Sequence, residues 1–581
     1  MQHSLRGSYA RRGSTTRTVR RVGARELGFA AALACLLAAA LATPALATAP
    51  GWTVRQLTND ANDNTAQVVS GNRVVWEVSE SGFGADSLCT WDAVNSTITT
   101  ITSNIDDPSG YAPPDVSGDR VVWIAWDGAH DQIDTWKAGN SATTTLTTNA
   151  ANHQDVQVSG DRVVWESYDG HAFERVYTCE VGVSPPATLS VNAVAWETYG
   201  GVQVSGDRVV WPASDGVTEQ IVTWKSGDSH PTTLTTGAAD HESPQVSGDR
   251  VVWTCLDGSN WQIVTCVVGS TPVTITSGPN YLEAPRVSGD RVVWTALEGS
   301  YYQDYTWKAG DSHVTTLTSG AVSAGAPQVS GDRIVWNTSG AHASQIFTWK
   351  AGDTTPTAVT DDDHWHFYPR VSGDRIVWQS NPDGNYQVFT ALAPHTLTYL
   401  AKPGGSIEGS ATQLVPYGGD GLTVTAKPAA GYRFAGWSDG FARAVRRDIQ
   451  MTSDLTVSAK FVHVTTLTKP SVSPVKPKHK NTTAFSAKLW PGAGARTGVS
   501  KLSLWHWETK TVTKKVHGKN KRVKVGYWHA LKPLTMKAWS SGMLTASYKL
   551  GHSGKWRAAV AFAGSSDYAS STSATKSFSA K

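Results

Sequence analysis

Pro327-Gln-Val-Ser330, Gly331-Asp332, Arg333-Ile-Val-Trp336, Gln345-Ile-Phe-Thr-Trp349, Lys350-Ala-Gly-Asp353 and Thr357-Ala-Val-Thr360 follow one another along one stretch of the chain. They read as four short strands separated by Gly/Asp turns and one variable loop. The Ser-Gly-Asp/Asn-Arg turn followed by Val/Ile-Val-Trp recurs with its Trp at 76, 123, 165, 211, 253, 294, 336 and 378, a period of about 43 residues. A four-stranded unit of that length predicts a β-propeller blade, because one small sheet cannot bury both faces until neighbours stack on it. Eight units predict eight blades. Trp52-Thr-Val-Arg-Gln-Leu-Thr58 precedes the first unit and reads as a fourth strand, which the last unit, Val371 to Thr390, lacks. The first strand is therefore expected to complete the last blade and close the ring.

The fold class read from this pattern is all-β, a propeller followed by two small β modules. The units VSGDRVVW and DGxxQIxTW resemble the propeller repeats of the TolB-like superfamily in secreted bacterial form, over residues 51 to 393. That superfamily holds both binding proteins and enzymes, so the resemblance implies a fold and no activity. Some of its members are polysaccharide lyases with several His around a metal, which makes a metal-dependent lyase or hydrolase the second reading. Residues 394–462, with Gly404-Gly-Ser-Ile407, Gly431-Tyr-Arg-Phe-Ala-Gly-Trp437 and Leu455-Thr-Val-Ser-Ala-Lys-Phe461, resemble the divergent InlB-type bacterial repeat of surface proteins. Residues 463–480 are rich in Pro and Lys and read as a linker. Residues 481–581 resemble an Ig-like surface domain without an inter-sheet disulfide.

Charge divides the chain more sharply than its net +3 suggests. Residues 51–390 carry 16 Lys+Arg against 40 Asp+Glu, and residues 462–581 carry 21 against 2. Such asymmetry predicts different partners for the two ends. The first 47 residues hold seven Arg, the apolar run Leu27 to Ala42 and the Ala45-Leu-Ala47 cleavage form, which together read as a signal peptide. No later stretch approaches the roughly 20 apolar residues of a membrane span. The expected product is exported, secreted or associated with the cell wall.

The first-to-second and third-to-fourth turns of a blade share one face, where the sequence is repetitive. Loops on the opposite face vary from blade to blade, so ligand contacts are expected there. Asp361-Asp362-Asp363-His364-Trp365-His366 is the sharpest candidate, since clustered carboxylates suit Ca²⁺ and imidazoles suit a transition metal. His153, Asp155, His241 and Glu242, with Asp60 and Asp63, are candidates by the shared face. The repeated Trp read as core between blades and the repeated Asp/Arg as turns and ion pairs.

No GxSxG, HExxH or phosphate-binding loop occurs, so no motif supports catalysis. Cys255 and Cys266 lie on consecutive strand-like runs, which allows a cross-hairpin disulfide, while Cys179 and Cys266 stand where other units have Trp, which favours packing. At the basic end, Lys510 to Lys524 alternates like a hairpin turning near His517-Gly518. Its Lys514, Lys515, Lys519, Lys521, Arg522 and Lys524 are expected to contact anionic wall polymers. No nucleic-acid-binding fold is recognisable, and specific DNA contact is not expected. The leading expectation is a binding protein that meets a carbohydrate or protein ligand on the propeller.

Overall fold

The computed structural model describes residues 51–581 except 81–85, 104, 106–112, 169–173, 194–200, 215, 259, 279–280, 340–342, 383 and 492–496. The expected signal peptide lies outside the described residues. Every element assigned is a β-strand, and no described helix is long and apolar enough to cross a membrane.

Eight antiparallel blades of four strands form the ring, at 63–102, 115–145, 152–193, 203–233, 240–274, 282–316, 323–358 and 366–392, the third and fourth joined into one sheet by the single pair Ala193↔Ala213. Blade 8 supplies three strands of its own, and its fourth is Thr53–Gln56, paired with Gln387–Leu392 through Thr53↔Leu392 to Gln56↔Phe389. The expected closure by the first strand is what the structure contains. First strands of successive blades approach one another around the axis and are therefore innermost.

Val-Val-Trp works by strand alternation. In blade 1, Val74 and Trp76 face blade 8, joining Val377 and Val388, while Val75 faces blade 2, joining Val121 and Trp123. The same split recurs around the ring, giving one apolar cluster at each of the eight junctions. All eight repeated Trp are 2% exposed or less.

The Ser-Gly-Asp-Arg turn joins blades rather than decorating them. Its Gly N–H donates to the Ser Oγ of the preceding blade at 2.8–3.0 Å in all eight junctions, including Gly71 to Ser372 across the closure. The left-handed φ of this Gly, 56–62° in every copy, explains why the position is invariant within the chain. Its Arg reaches the Asp of the following blade in seven junctions at 2.7–3.2 Å, from Arg73–Asp119 through Arg333–Asp374. Blade 1 carries Asn72 at that position, and Arg375 donates instead to the Gly71 carbonyl at 3.1 Å. Asn72→Asp should supply the eighth ion pair and add at most about 1 kcal/mol, read as a higher urea midpoint that falls back in high salt.

Past blade 8 the chain enters a module with two sheets, one holding His395–Ala401, Thr412–Val415, Tyr432–Trp437 and Leu455–His463. It meets the propeller on the face of repeated turns, where Asp454 accepts from Lys350 Nζ at 2.9 Å. Lys137, Lys225 and Lys308 use the corresponding amine within the ring, on Asp161, Asp249 and Asp332. The last module is a two-sheet sandwich around Phe485, Leu502, Leu544, Trp556 and Val560. The stretch read as a linker is built into it: Thr466–Leu467 and Ser471–Ser473 both pair with Thr482–Trp490. Pro and Lys composition marks poor core formers, but extended backbone still hydrogen-bonds to an open sheet edge.

Candidate functional site

On the loop face, blade-to-blade connections are clamped from below. The repeated Gln of the third strand donates to carbonyls of the following connection, as Gln132 does to Asn149, Gln220 to Gly237, Gln303 to Gly320 and Val322, and Gln345 to Asp362 at 2.6 Å. Gln387 holds Asp60 and Asn62 likewise. The connections vary in side chain while their backbones are held alike, which makes this face a rigid display surface. Sequence reading missed these Gln as clamps, although their recurrence before Ile-x-Thr-Trp was visible.

Two of the candidate imidazoles, His241 and His366, accept hydrogen bonds from buried indoles. His153, His241 and His366 each stand twelve residues before the buried Trp of their own blade. Trp253 Nε1 donates to His241 Nδ1 at 2.9 Å and Trp378 Nε1 to His366 Nδ1 at 3.1 Å. Asn64 Oδ1 serves Trp76 identically at 3.0 Å. His153 meets Trp165 edge-on at 6.4 Å, and burial, with the His130 charge, pushes its imidazole down to about 4. An indole N–H only donates, so the accepting nitrogen carries the lone pair and the other nitrogen the proton. His366 then spends its Nε2–H on Asp362 Oδ1 at 2.9 Å, leaving neither nitrogen for a metal.

Asp362 joins the same network through Oδ1. Burial works against its charge, but hydrogen bonds from His366 and the His364 backbone N–H hold the carboxyl below the usual range. One Asp362 oxygen meets both imidazoles, the other is buried without a hydrogen-bond partner, and Asp361 and Asp363 are exposed. Asp60 accepts from the nearby Asn62 N–H, and Asp63 accepts from the Tyr386 N–H of blade 8. Asp155 is exposed at a bulge of the inner strand, with φ 51°.

The same bulge in blade 8 holds Tyr368, φ 49°, a bulky residue in a region such side chains rarely adopt. Gln67 of blade 1 donates to its carbonyl at 2.6 Å. The bulge turns Tyr368 outward, 59% exposed, and Trp365 is 42% exposed. Phe367 joins them, stacked on Trp365 at 5.9 Å, 6.1 Å from Tyr368 and edge-on to Tyr386 at 6.3 Å. Four aromatic rings flanked by the exposed Asp361 and Asp363 thus form one patch. Trp365 was singled out from sequence; the other three rings were not.

A second feature lies where blade 4 meets blade 5. Burial raises the Glu219 carboxyl to about 7, with Glu242 and Asp240 adding to the effect, and Glu242 is raised by burial and by Asp240. Folded protein therefore holds a proton here that the unfolded chain releases near 4.5, so stability declines as pH rises from about 4.5 to about 7. Glu219→Gln should flatten that part of the profile and raise the melting temperature at pH 8 relative to pH 5, measured by thermal unfolding of both proteins.

The expected disulfide does not exist. Antiparallel register sets Cys255 opposite Gln262 and Cys266 opposite Val251, too far apart along the strands to bond. Cys179 and Cys266 pack between blades as expected, and burial pushes the Cys179 thiol up to about 11. The basic residues do form a ribbon, Ser500–Val516 against Lys519–Ala530, turning at His517-Gly518. Lys514, Lys515, Lys519, Lys521, Arg522 and Lys524 are all exposed, with Lys514 directly opposite Lys521.

These features define a closed eight-bladed propeller with an aromatic display face, followed by two β modules. Residues 395–465, in the first of those modules, match the family model described as the divergent InlB B-repeat domain. No curated protein matches the chain. Among solved structures, the propeller domain of the trilobed protease from Pyrococcus furiosus is similar at 10% identity and TM-score 0.39, covering 52% of this chain and 96% of that one. Acylaminoacyl peptidase from Pyrococcus horikoshii is similar at 11% and 0.37, covering 58% and 60%. A putative TolB from Agrobacterium tumefaciens is similar at 17% and 0.29, covering 39% and 86%.

Proposed function

We propose that this is an exported binding protein whose propeller captures a glycan on its aromatic patch and whose basic ribbon holds it to anionic wall polymers. The patch of Trp365, Phe367, Tyr368 and Tyr386 carries the reading. Exposed aromatic rings held rigid bind the apolar faces of sugars at little entropic cost, and the flanking carboxylates accept from hydroxyls. A catalytic metal reading has less support, because two of its candidate imidazoles, His241 and His366, serve as acceptors for buried indoles.

The ribbon supports the second half of the proposal. Like charges placed directly opposite cost stability, as at Lys514 and Lys521, and an anionic polymer relieves that repulsion. Binding to isolated walls should weaken as ionic strength rises.

The deciding experiment incubates the full chain with a panel of plant, microbial and wall polysaccharides, following retention and released products by mass spectrometry. Retention without products, reduced at least about tenfold in Trp365→Ala and Tyr368→Ala, is the expected outcome. Released oligosaccharides would make the protein an enzyme, and retention unchanged in both variants would remove the patch from the mechanism.

A further inference from the structure

The geometry points to a Zn²⁺ site at the root of the basic ribbon, formed by His506, Glu508 and His552. Among the described residues, these three bring their ligand atoms within 4.8 Å of one another. None was singled out by sequence.

His506 is buried on the central strand of its sheet, opposite His529 on one side and Trp556 on the other. Its Nε2 lies 3.0 Å from the Ser553 carbonyl, which can only accept, so Nε2 carries the proton. In the neutral ring Nδ1 is then a lone pair, buried and without a hydrogen-bond partner. It faces Glu508 Oε1 at 3.6 Å, an acceptor opposite an acceptor, an arrangement that a cation between them resolves. The other Glu508 oxygen accepts from Tyr527 at 2.8 Å.

His552 completes the set from the turn between Met543–Lys549 and Gly554–Phe562. Its ring stacks on His506 with centroids 4.7 Å apart and planes 17° off parallel. That turn is fixed by Trp556, whose indole donates to the His552 carbonyl at 3.2 Å. Two imidazoles and one carboxylate are a zinc donor set rather than a calcium one, and His506 already has the outer hydrogen bond that orients a metal-bound imidazole. A water would take the fourth position. The ion would pin Glu508, where the free ribbon begins, to the opposite turn and so stiffen the strands that carry the cations.

A proton on Nδ1 would satisfy the same pair, so the test is run at pH 8, above the ordinary imidazole value of about 6.5. Full-length protein stripped with chelator is titrated with Zn²⁺ by calorimetry, and Co²⁺ is substituted to read coordination from its visible spectrum. The expected result is a site whose affinity falls at least about tenfold in both His552→Ala and Glu508→Gln, with loss of the Co²⁺ signal. It should be unchanged in His364→Ala. Melting of the metal-free variants near the wild-type temperature shows that they fold, and Zn²⁺ should raise that temperature in wild type alone. Wild type that takes up no Zn²⁺, or variants that bind it equally well, would overturn the assignment.

Discussion

Trp378→Ala is expected to destabilise the propeller by about 3–5 kcal/mol, the usual cost of emptying a buried Trp site. Against a typical total of about 5–15 kcal/mol, that approaches global unfolding. Trp378 is fully buried between blades 7 and 8, stacked on Phe389 at 5.9 Å, and satisfies His366. A finer comparison isolates the hydrogen bond from the packing. Trp378→Phe keeps most of the volume but strands His366 Nδ1, an added cost of about 1–3 kcal/mol. Trp336 is equally buried but its Nε1 has no partner, so Trp336→Phe should cost less. Urea unfolding of the two Phe variants decides the matter, and equal losses would mean that the imidazole acceptors do not contribute.

Deleting residues 51–58 should open the ring. Trp52 packs toward blade 7 and Leu57 toward blade 1, on opposite faces of blade 8, so one short strand contributes to both junctions beside the closure. Losing those two side chains alone costs at least about 5 kcal/mol, and the strand Gln387–Leu392 would be left with an unpaired edge. The truncated chain should lose its cooperative propeller transition in calorimetry while the C-terminal sandwich, which has its own core, still melts. A propeller transition that survives at its original temperature would mean that closure is not needed for stability.

Much of the architecture was legible because it repeats. Alternation inside Val-Val-Trp needs only the period of a strand, and one unit that tiles a circle leaves little freedom in strand order. The interblade ion pairs also follow from the repeat, including the break at Asn72. Site chemistry was harder to read. His241 and His366 look like ligands when only loop neighbours are considered, and the indoles that claim them lie on the adjacent strand. Cys255 and Cys266 look bondable until the register of Asp240–Ser247, Arg250–Asp257 and Asn260–Val267 is fixed, and a shift of a few residues along a strand is enough to separate them.

By itself, then, the sequence determined the eight blades, the strand that closes them, the split of charge between the two ends and the turn of the basic ribbon at His517-Gly518. All of these are local patterns or sums, set by the period of a strand and the chemistry of a turn. Tertiary structure alone decided which nitrogen of each imidazole is occupied, that Tyr368 is turned outward, and that His552 lies on His506 from across the sandwich. Those outcomes depend on distances between segments remote in the chain, and the directionality of a hydrogen bond or a coordination bond has no trace in residue spacing.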